Sequence, residues 1–295
     1  MKNRLFKSIG LLLVLAVLCT VSAFADDTVR IGSAAELAAL GGKDVTGTLE
    51  LTQDIDMTGV AMQPITSFAG TFNGDGYTIK NLAITAEKRA YSSTAQGAAL
   101  FETFTGTARD LIFENPSITL TGGQMVGTAV LCGVVGEDGA TIENVGIVGG
   151  SISMESTRTT YAGALVGNAV NTSLTVKNCF TEAKIAYTGS TNPNYNYFGG
   201  MLGYMTNVDL AFENCAVLGD VAAHTYSGIG YAGGFVGIIN GSNTGHTIDF
   251  TNCYFSGKVT GASVCGFAYS GRYASPSITV KGCYYDRDKN KSASS

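Results

Sequence analysis

The chain repeats one pattern along most of its length, and this repeat constrains the fold more than any other feature. Each copy has a glycine-rich cluster and then an alternating strand that ends at a polar corner residue, roughly every 29 to 38 residues. The aligned corner residues are Asn81, Asp110, Asn144, Asn178, Asn214, Asn252 and Gly282. Self-similarity at such a period is typical of solenoids and propellers.

Each repeat contains about three strand-like segments, for example 133–135, 141–148 and 151–154. A propeller blade would need four strands. Composition also favours short strands and tight turns, because charged residues are only 14% of the chain and glycine accounts for 39 of 295 residues. The sequence therefore predicts an all-β fold, a right-handed parallel β-helix (solenoid) of about seven coils. Stacked coils lie about 4.8 Å apart, so equivalent residues should form columns.

The first 25 residues have the pattern of a signal peptide. Lys2, Arg4 and Lys7 precede an apolar stretch over 9–21, and a small-x-small cleavage site ends at Ala25. We therefore predict an exported protein that is secreted or held at the cell surface, with no membrane insertion after the signal is removed.

The rest of the chain divides into three predicted parts. Residues 26–67 should form an N-terminal cap and the first strands, 68–286 the β-helix repeats, and 287–295 a C-terminal tail. Ser33 and Glu36 have the spacing of a capping box, which starts a helix of about two turns. We expect this short helix to cover the first coil.

Net charge limits the classes of partner. The whole chain has a formal net charge of −5, and the signal-like segment holds three basic residues and no acidic ones, so the remainder carries about −8. An acidic chain with no basic cluster argues against nucleic acid as a partner. An extracellular glycan or a host or surface protein is the predicted partner, and no cofactor is expected.

Four cysteines follow the corner residues in successive repeats, at Cys179, Cys215, Cys253 and Cys283. No pair has the Cys-x-x-Cys spacing of a zinc site. Free cysteine behaves as a small apolar residue, so we interpret the column as core filling. Side chains in such a column point the same way, which predicts free, buried thiols despite export.

The column of corner asparagines has two interpretations. It could line a polar groove, but asparagine also tolerates the left-handed conformation and can hydrogen-bond along a stack. We favour the second interpretation, a turn ladder in which Asp110 can take the same role.

Catalytic and metal sites are not evident in the sequence. Asp54 and Asp56 could bind calcium through oxygen ligands, but no full calcium loop follows them. The two histidines, His224 and His246, have no motif partner. We therefore predict no metal site, no catalytic residue and no enzyme activity.

The glycine clusters resemble the core of the GLUG-repeat proteins, a family of bacterial secreted or surface β-helix proteins. The matching segments are 163–167 (GALVG), 200–203 (GMLG) and 234–237 (GFVG). Residues 51–56 and 68–82 resemble the region that precedes such repeats, and 283–286 resembles a common exit. The resemblance implies a β-helix of the kind found in adhesins and beside extracellular enzymes such as IgA-protease-type proteins, although no protease domain is evident here.

Three loops before the glycine clusters are the most individual segments, at 153–161, 187–197 and 224–231. They share one phase of the repeat and should therefore emerge on one side. Tyr, Ser, Asn and Gly are residues of adaptable recognition surfaces, although solvated loops with a stacked tyrosine column would have the same composition. The predicted ligand-binding residues are Tyr187, Asn194, Tyr195 and Tyr226.

These observations predict an exported, adhesin-like binding protein for a glycan or host-protein ligand. A polysaccharide-active β-helix enzyme, a lyase or glycoside hydrolase, is the first alternative. A structural protein of the cell envelope is the second.

Overall fold

The structure is a computed structural model of the chain, and it describes residues 28–87, 96–122, 126–156, 158–190, 194–226, 230–271 and 275–290. The predicted signal peptide and residues 291–295 of the predicted tail lie outside the described residues. Parts of the three predicted loops, at 157, 191–193 and 227–229, also lie outside them.

The described chain forms 29 strands and one short helix, numbered here in chain order. The first half contains β1 (Thr28–Ile31), α1 (Ala34–Ala38), β2 (Asp44–Leu51), β3 (Ile55–Asp56), β4 (Ile65–Asn73), β5 (Thr78–Lys80), β6 (Ala83–Glu87), β7 (Gln96–Ala98), β8 (Phe101–Glu114), β9 (Ser117–Thr121), β10 (Val126–Thr128), β11 (Cys132–Val148), β12 (Ser151–Met154) and β13 (Thr160–Ala162). The second half contains β14 (Val166–Lys177), β15 (Phe180–Thr181), β16 (Lys184–Tyr187), β17 (Asn196–Gly199), β18 (Leu202–Glu213), β19 (Ala216–Val217), β20 (Val221–Ala222), β21 (Gly230–Gly233), β22 (Val236–Asn240), β23 (Thr247–Thr251), β24 (Tyr254–Phe255), β25 (Val259–Thr260), β26 (Ser263–Cys265), β27 (Ala268–Ser270), β28 (Ser277–Lys281) and β29 (Tyr284–Tyr285).

The strands form three parallel sheets, and the chain passes through all three in each of the six turns from β4 to β26. Sheet A has 17 strands and includes the long strands β8, β11, β14 and β18. Sheet B contains β6, β9, β12, β16, β20 and β25, and sheet C contains β7, β10, β13, β17, β21 and β26. The protein is therefore an all-β solenoid of the right-handed β-helix type, with about six turns.

The predicted count of about seven coils is not confirmed. Seven corner residues align in the sequence, but sheets B and C have six strands each. The difference arises at the last corner, Gly282, because the final strands β27, β28 and β29 belong to sheet A alone.

Five of the seven corner residues form the predicted turn ladder: Asp110, Asn144, Asn178, Asn214 and Asn252. The placement of Asn81 in this column is wrong, because Lys80 pairs with Glu114 and the Asn81 amide donates to Asp56 and Thr58 instead. Gly282 follows Asn252 in the column but has no side chain.

All seven corner residues have left-handed backbone, with φ between +52° and +62°, the conformation that asparagine and glycine tolerate best. The side-chain amide of Asn252 donates to Asn214 Oδ1, that of Asn214 to Asn178 Oδ1, and that of Asn178 to Asn144 Oδ1, each over 3.1 Å. Asn144 donates to Asp110 Oδ1 over 2.8 Å, so the ladder ends on a carboxylate.

A second asparagine ladder, which we did not predict, lies at the bend within the long strands of sheet A. Asn171, Asn207 and Asn243 have φ of 51°, 53° and 45°. Asn207 Nδ2 donates to Asn171 Oδ1 over 3.0 Å, and Asn243 Oδ1 accepts from the Asn207 amide over 2.6 Å. Both bends of sheet A are therefore held by side-chain amides that link neighbouring coils.

The cysteine column fills the core at three of its four predicted positions. The prediction of a buried thiol is wrong for the fourth, Cys283, which lies in the last coil and is half-buried. Cys179, Cys215 and Cys253 are 1–2% exposed, and successive members lie in neighbouring coils. A hydrogen bond with Cys179, together with burial, raises the pKa of the Cys215 thiol to about 12. The cysteines within the described residues are free, and their redox state after export stays a prediction.

The glycine clusters allow sheet C to lie directly against the start of the sheet A strands. A Cβ at Gly167 would lie 2.4 Å from the Gly127 carbonyl carbon, and one at Gly203 would lie 2.5 Å from the Ala162 nitrogen. A Cβ at Gly237 would lie 2.4 Å from the Gly203 oxygen. Glycine at the end of each G-x-apolar-G core is therefore required by backbone-to-backbone contact.

The short helix α1 begins at the predicted cap. Ser33 Oγ accepts from the Glu36 amide over 3.2 Å, and Glu36 Oε2 accepts from the Gly32 amide over 2.8 Å. Leu37 is fully buried in the core. The role of α1 as a cover over the first coil stays a prediction.

Replacement of Gly167 by Ala should destabilise the protein strongly. The added methyl group must displace backbone, and such overpacking lowers the free energy of unfolding by about 1–3 kcal/mol. Gly261→Ala is the matched control, because its Cβ would approach no atom closer than 3.2 Å, and it should change the free energy by less than about 0.5 kcal/mol. Urea denaturation measures both variants, and equal stabilities would contradict the proposed role of the glycine core.

Candidate functional site

The three predicted loops occupy the same place in successive turns, the connection from sheet B to sheet C. They join β12 to β13, β16 to β17, and β20 to β21. The prediction that they share one phase of the repeat is therefore confirmed. The four predicted ligand-binding residues separate into two ring groups and one exposed amide.

The first group consists of Tyr187, His224 and Tyr226. Tyr187 ends β16, is half-buried and packs against the core. Its ring meets the His224 ring edge-on, with centroids 5.2 Å apart. His224 Nδ1 accepts from the Tyr226 amide over 2.9 Å, which fixes the turn and leaves Tyr226 59% exposed. Tyr226 is therefore the accessible member of the group, and the His224 ring lies between it and the partly buried Tyr187 in the chain of ring contacts.

The second group is a tyrosine ladder that starts on sheet C. Tyr161, Tyr197 and Tyr231 occupy one column in register. The Tyr197 ring lies 5.9 Å from that of Tyr161 and 5.2 Å from that of Tyr231. Because its neighbours lie in the coils on either side, both faces of Tyr197 are covered by other rings.

Tyr195 lies beside this ladder and extends it towards solvent. Its ring is parallel to that of Tyr197 within 10°, at 5.9 Å, and 43% of the residue is exposed. Asn194, the residue before it, is exposed as well. Tyr195 therefore offers an accessible ring on a rigid support, and Asn194 places an amide next to it.

Sheet A contributes further rings to the ladder, which the sequence analysis did not include. Tyr204 lies 4.4 Å from Tyr161, ring to ring, and its hydroxyl accepts from Asn240 Nδ2 over 2.8 Å. Tyr269 lies 4.9 Å from Tyr231. Burial raises the pKa of Tyr161 and Tyr197, so these phenols stay protonated at neutral pH.

A buried polar pair fixes the base of this ladder. Asn196 and Thr160 are fully buried, and Asn196 Nδ2 donates to Thr160 Oγ1 over 2.9 Å. The Thr160 amide donates to the Tyr195 carbonyl over 2.9 Å. Both contacts join neighbouring coils immediately below the exposed ring of Tyr195, so the backbone that carries the ring is held in place.

The acidic residues singled out in the sequence are engaged in turns. Asp56 Oδ1 accepts from the amide and hydroxyl of Thr58 and from Asn81 Nδ2, and these hydrogen bonds lower the pKa of Asp56 to about 2. Asp54 accepts from the Thr78 amide over 3.0 Å and lies 3.4 Å from Lys80 Nζ. Both carboxylates therefore have protein partners.

Elsewhere in the described residues, a histidine lies close to a carboxylate. His246 Nδ1 lies 3.4 Å from Asp209 Oδ2, and Asp209 also accepts from the Thr247 amide over 2.9 Å. The hydrogen bond from Thr247 lowers the pKa of Asp209, and His246 contributes to the same shift. Across the described parts of the chain, no three His, Cys, Asp or Glu side chains cluster in a way that could hold a metal ion.

Comparison with known proteins gives two findings. A 117-residue segment, 38% of this chain, is 31% identical to halomucin of Haloquadratum walsbyi, and it spans 1% of that protein. A crystal structure of a Bacteroides ovatus protein, provisionally named an immunoglobulin A1 protease, has a similar fold with a TM-score of 0.61 and 19% identity. The similarity covers 87% of this chain and 74% of the other. No protein-family model matches the sequence.

The helix content of the structure can be compared with the length that a membrane-spanning helix needs. Within the residues that it describes, no helix has the length and apolar character needed to cross a bilayer.

Tyrosines of the two groups should differ sharply in their effect on stability. Tyr161→Ala removes a 4% exposed ring from the ladder and should lower the free energy of unfolding by about 3 kcal/mol. Tyr226→Ala removes an exposed ring and should change it by less than about 0.5 kcal/mol. Thermal and denaturant unfolding of both variants would show this, and a large loss for Tyr226→Ala would mean that its ring is structural.

Proposed function

We propose that this protein is an exported surface-interaction protein that binds a polymeric ligand, a glycan or a host protein, without cleaving it. The observation that carries the proposal is the placement of three individual loops at one phase of the solenoid. Loops in successive coils form one continuous face, which suits an extended polymer better than a small molecule. Each contact would be weak, and several coils acting together would supply the affinity.

Ligand contact would centre on the four predicted residues, Tyr187, Asn194, Tyr195 and Tyr226, of which Tyr195 and Tyr226 have the most exposed rings. A tyrosine ring presents an apolar plane and a hydroxyl at little entropic cost, because it has two rotatable bonds. The asparagine amide can donate to and accept from a sugar or a peptide. Because Tyr197 has both ring faces covered, the outer rings are the ones that a ligand could stack on.

The comparisons support the surface role at a coarse level. Similarity to a segment of halomucin and to the fold of the Bacteroides ovatus protein fits an exported solenoid, secreted or held at the cell surface. Enzyme activity is not part of the proposal, because the sequence carries no catalytic motif. Asp54 and Asp56, the carboxylates that the sequence singled out, are held by hydrogen bonds from Thr78 and Thr58.

Binding should depend on the two exposed rings. The mature protein would be screened against an array of extracellular glycans and against host surface proteins. The double variant Tyr195→Ala/Tyr226→Ala should lose binding to the ligand found, by about 10-fold or more if each ring contributes about 1 kcal/mol. Tyr254→Ala is the matched control, since Tyr254 is also 43% exposed but lies on sheet A.

Two outcomes would contradict the proposal. One is full binding by the double variant while its stability is unchanged. The other is depolymerisation of a polysaccharide by the purified protein, measured as new reducing ends, which would support the enzyme alternative instead.

A further inference from the structure

The C-terminal end of the solenoid exposes residues of its own core. Inward-facing positions form columns, and Leu210 and Ile248 are 1% and 0% exposed in one of them. The next residue in that column, Ile278, is 47% exposed. In the adjacent column Phe250 is 1% exposed and the following residue, Val280, is 55% exposed.

These side chains border an apolar hollow of about 340 Å³ at the end of the stack. Its walls include Phe250, Phe267, Ile278, Val280 and Tyr285. Exposed apolar surface of this kind, contiguous with a core, marks an interaction site in a soluble protein. Solenoids need terminal units with a polar outer face to stay soluble, and the end of sheet A lacks one among the described residues.

The backbone at this end is unpaired as well. β28 pairs with β23 on one side, and no described strand pairs with its other side. Sheet B differs, because Asn290 accepts from the Val259 amide over 2.8 Å and donates to the Gly257 carbonyl over 2.9 Å. Among the described residues, the chain therefore closes the end of sheet B, whereas no strand pairs with the outer edge of β28 on sheet A.

The N-terminal end of sheet A differs from the C-terminal end in the exposure of its apolar residues. Ile31 of β1 and Leu37 of α1 are fully buried. The two ends are thus unlike each other. A contact between the N-terminal end of one copy and the C-terminal end of another would be heterologous, and further copies could add to the assembly without limit. A contact between two C-terminal ends would instead form a closed dimer.

The charge at the C-terminal end permits approach of a second copy. Between residues 277 and 290 the charged residues are Lys281, Asp286, Arg287, Asp288 and Lys289. Three of them are basic and two acidic, in a chain whose formal net charge is −5. The stretch carries a net charge of only +1, so the acidic excess of the chain does not extend to this end, and repulsion between two copies there is small.

We propose that two copies of this chain join end to end through the open end of sheet A, by antiparallel pairing of β28 with β28 of the second copy. The two copies would be related by a two-fold axis perpendicular to sheet A. This rotation leaves the cores of both copies on the same face of the joined sheet, and it makes the two β28 strands antiparallel. Centred on Thr279, the pairing places Ile278 opposite the second copy's Val280 and Ser277 opposite its Lys281. Apolar residues then meet apolar residues, and no like charges are opposed.

Sedimentation velocity over a hundredfold range of concentration tests the proposal on the mature chain. The wild-type protein should show a concentration-dependent dimer. Ile278→Lys/Val280→Lys should raise the dissociation constant by about 100-fold or more, because it buries unpaired charges in an apolar contact. Val148→Lys is the control on another part of sheet A, 37% exposed, and should leave the dissociation constant unchanged.

Hydrogen exchange of the Ile278 and Val280 amides provides the second measurement. The Ser277 amide already donates to His246 of the preceding coil, and amides alternate in direction along a strand, so those of Ile278 and Val280 point to the open edge. Their protection should appear at concentrations where the dimer forms and disappear on dilution. The proposal is overturned by a wild-type protein that is a monomer throughout, by a double-lysine variant that dimerises like the wild type, or by Ile278 and Val280 amides that remain protected in the monomer. Thermal unfolding should show that the lysine variants fold, since both side chains are already exposed. The test is independent of ligand binding by the loops.

Discussion

In-register backbone pairing between each coil and the one before it is the constraint on which the rest of the structure depends. A parallel stack can continue only if every coil turns at the same place, although the loops differ in length. The asparagine ladders meet this requirement: the corners adopt left-handed backbone, and the side-chain amides of Asn144, Asn178, Asn214 and Asn252 each donate to the corner of the preceding coil. The corners thus fix the register locally, and the loops between sheets B and C are free to vary.

The same register determines what the surface and the interior can do. Residues at one position form columns, so cysteines fill part of the core and tyrosines form a ladder of rings on sheet C. This ladder gives Tyr195 a rigid support beside a variable loop, which suits a recognition surface. Where the register ends, at β28, the core and a strand edge are exposed together. The proposed ligand face and the proposed pairing surface are therefore consequences of one repeat, at its side and at its end.

The sequence predicted those features that repeat in every coil. Asn178 and Cys179 recur at fixed spacing, so the corner ladder and the core column could be inferred without a structure. The contributions of Tyr204 and Tyr269 could not, because these residues come from another sheet and meet the ladder only through folding. The half-burial of Tyr187 could not be predicted from the sequence either, because the environment of this side chain depends on His224 of the next coil. The open end was also hidden, because Ile278 and Val280 have the pattern of ordinary core residues.

The central claim is that side-chain amides link the corners of successive coils, and nuclear Overhauser effects between asparagine amides test it most directly. In protein labelled selectively at asparagine, the side-chain amide of Asn178 should show cross-peaks to Asn144 on one side and Asn214 on the other. Asn214 should in turn show cross-peaks to Asn252, so that the four residues form one unbroken series. A folded protein in which the Asn178 amide has no cross-peak to either neighbour would contradict the in-register account.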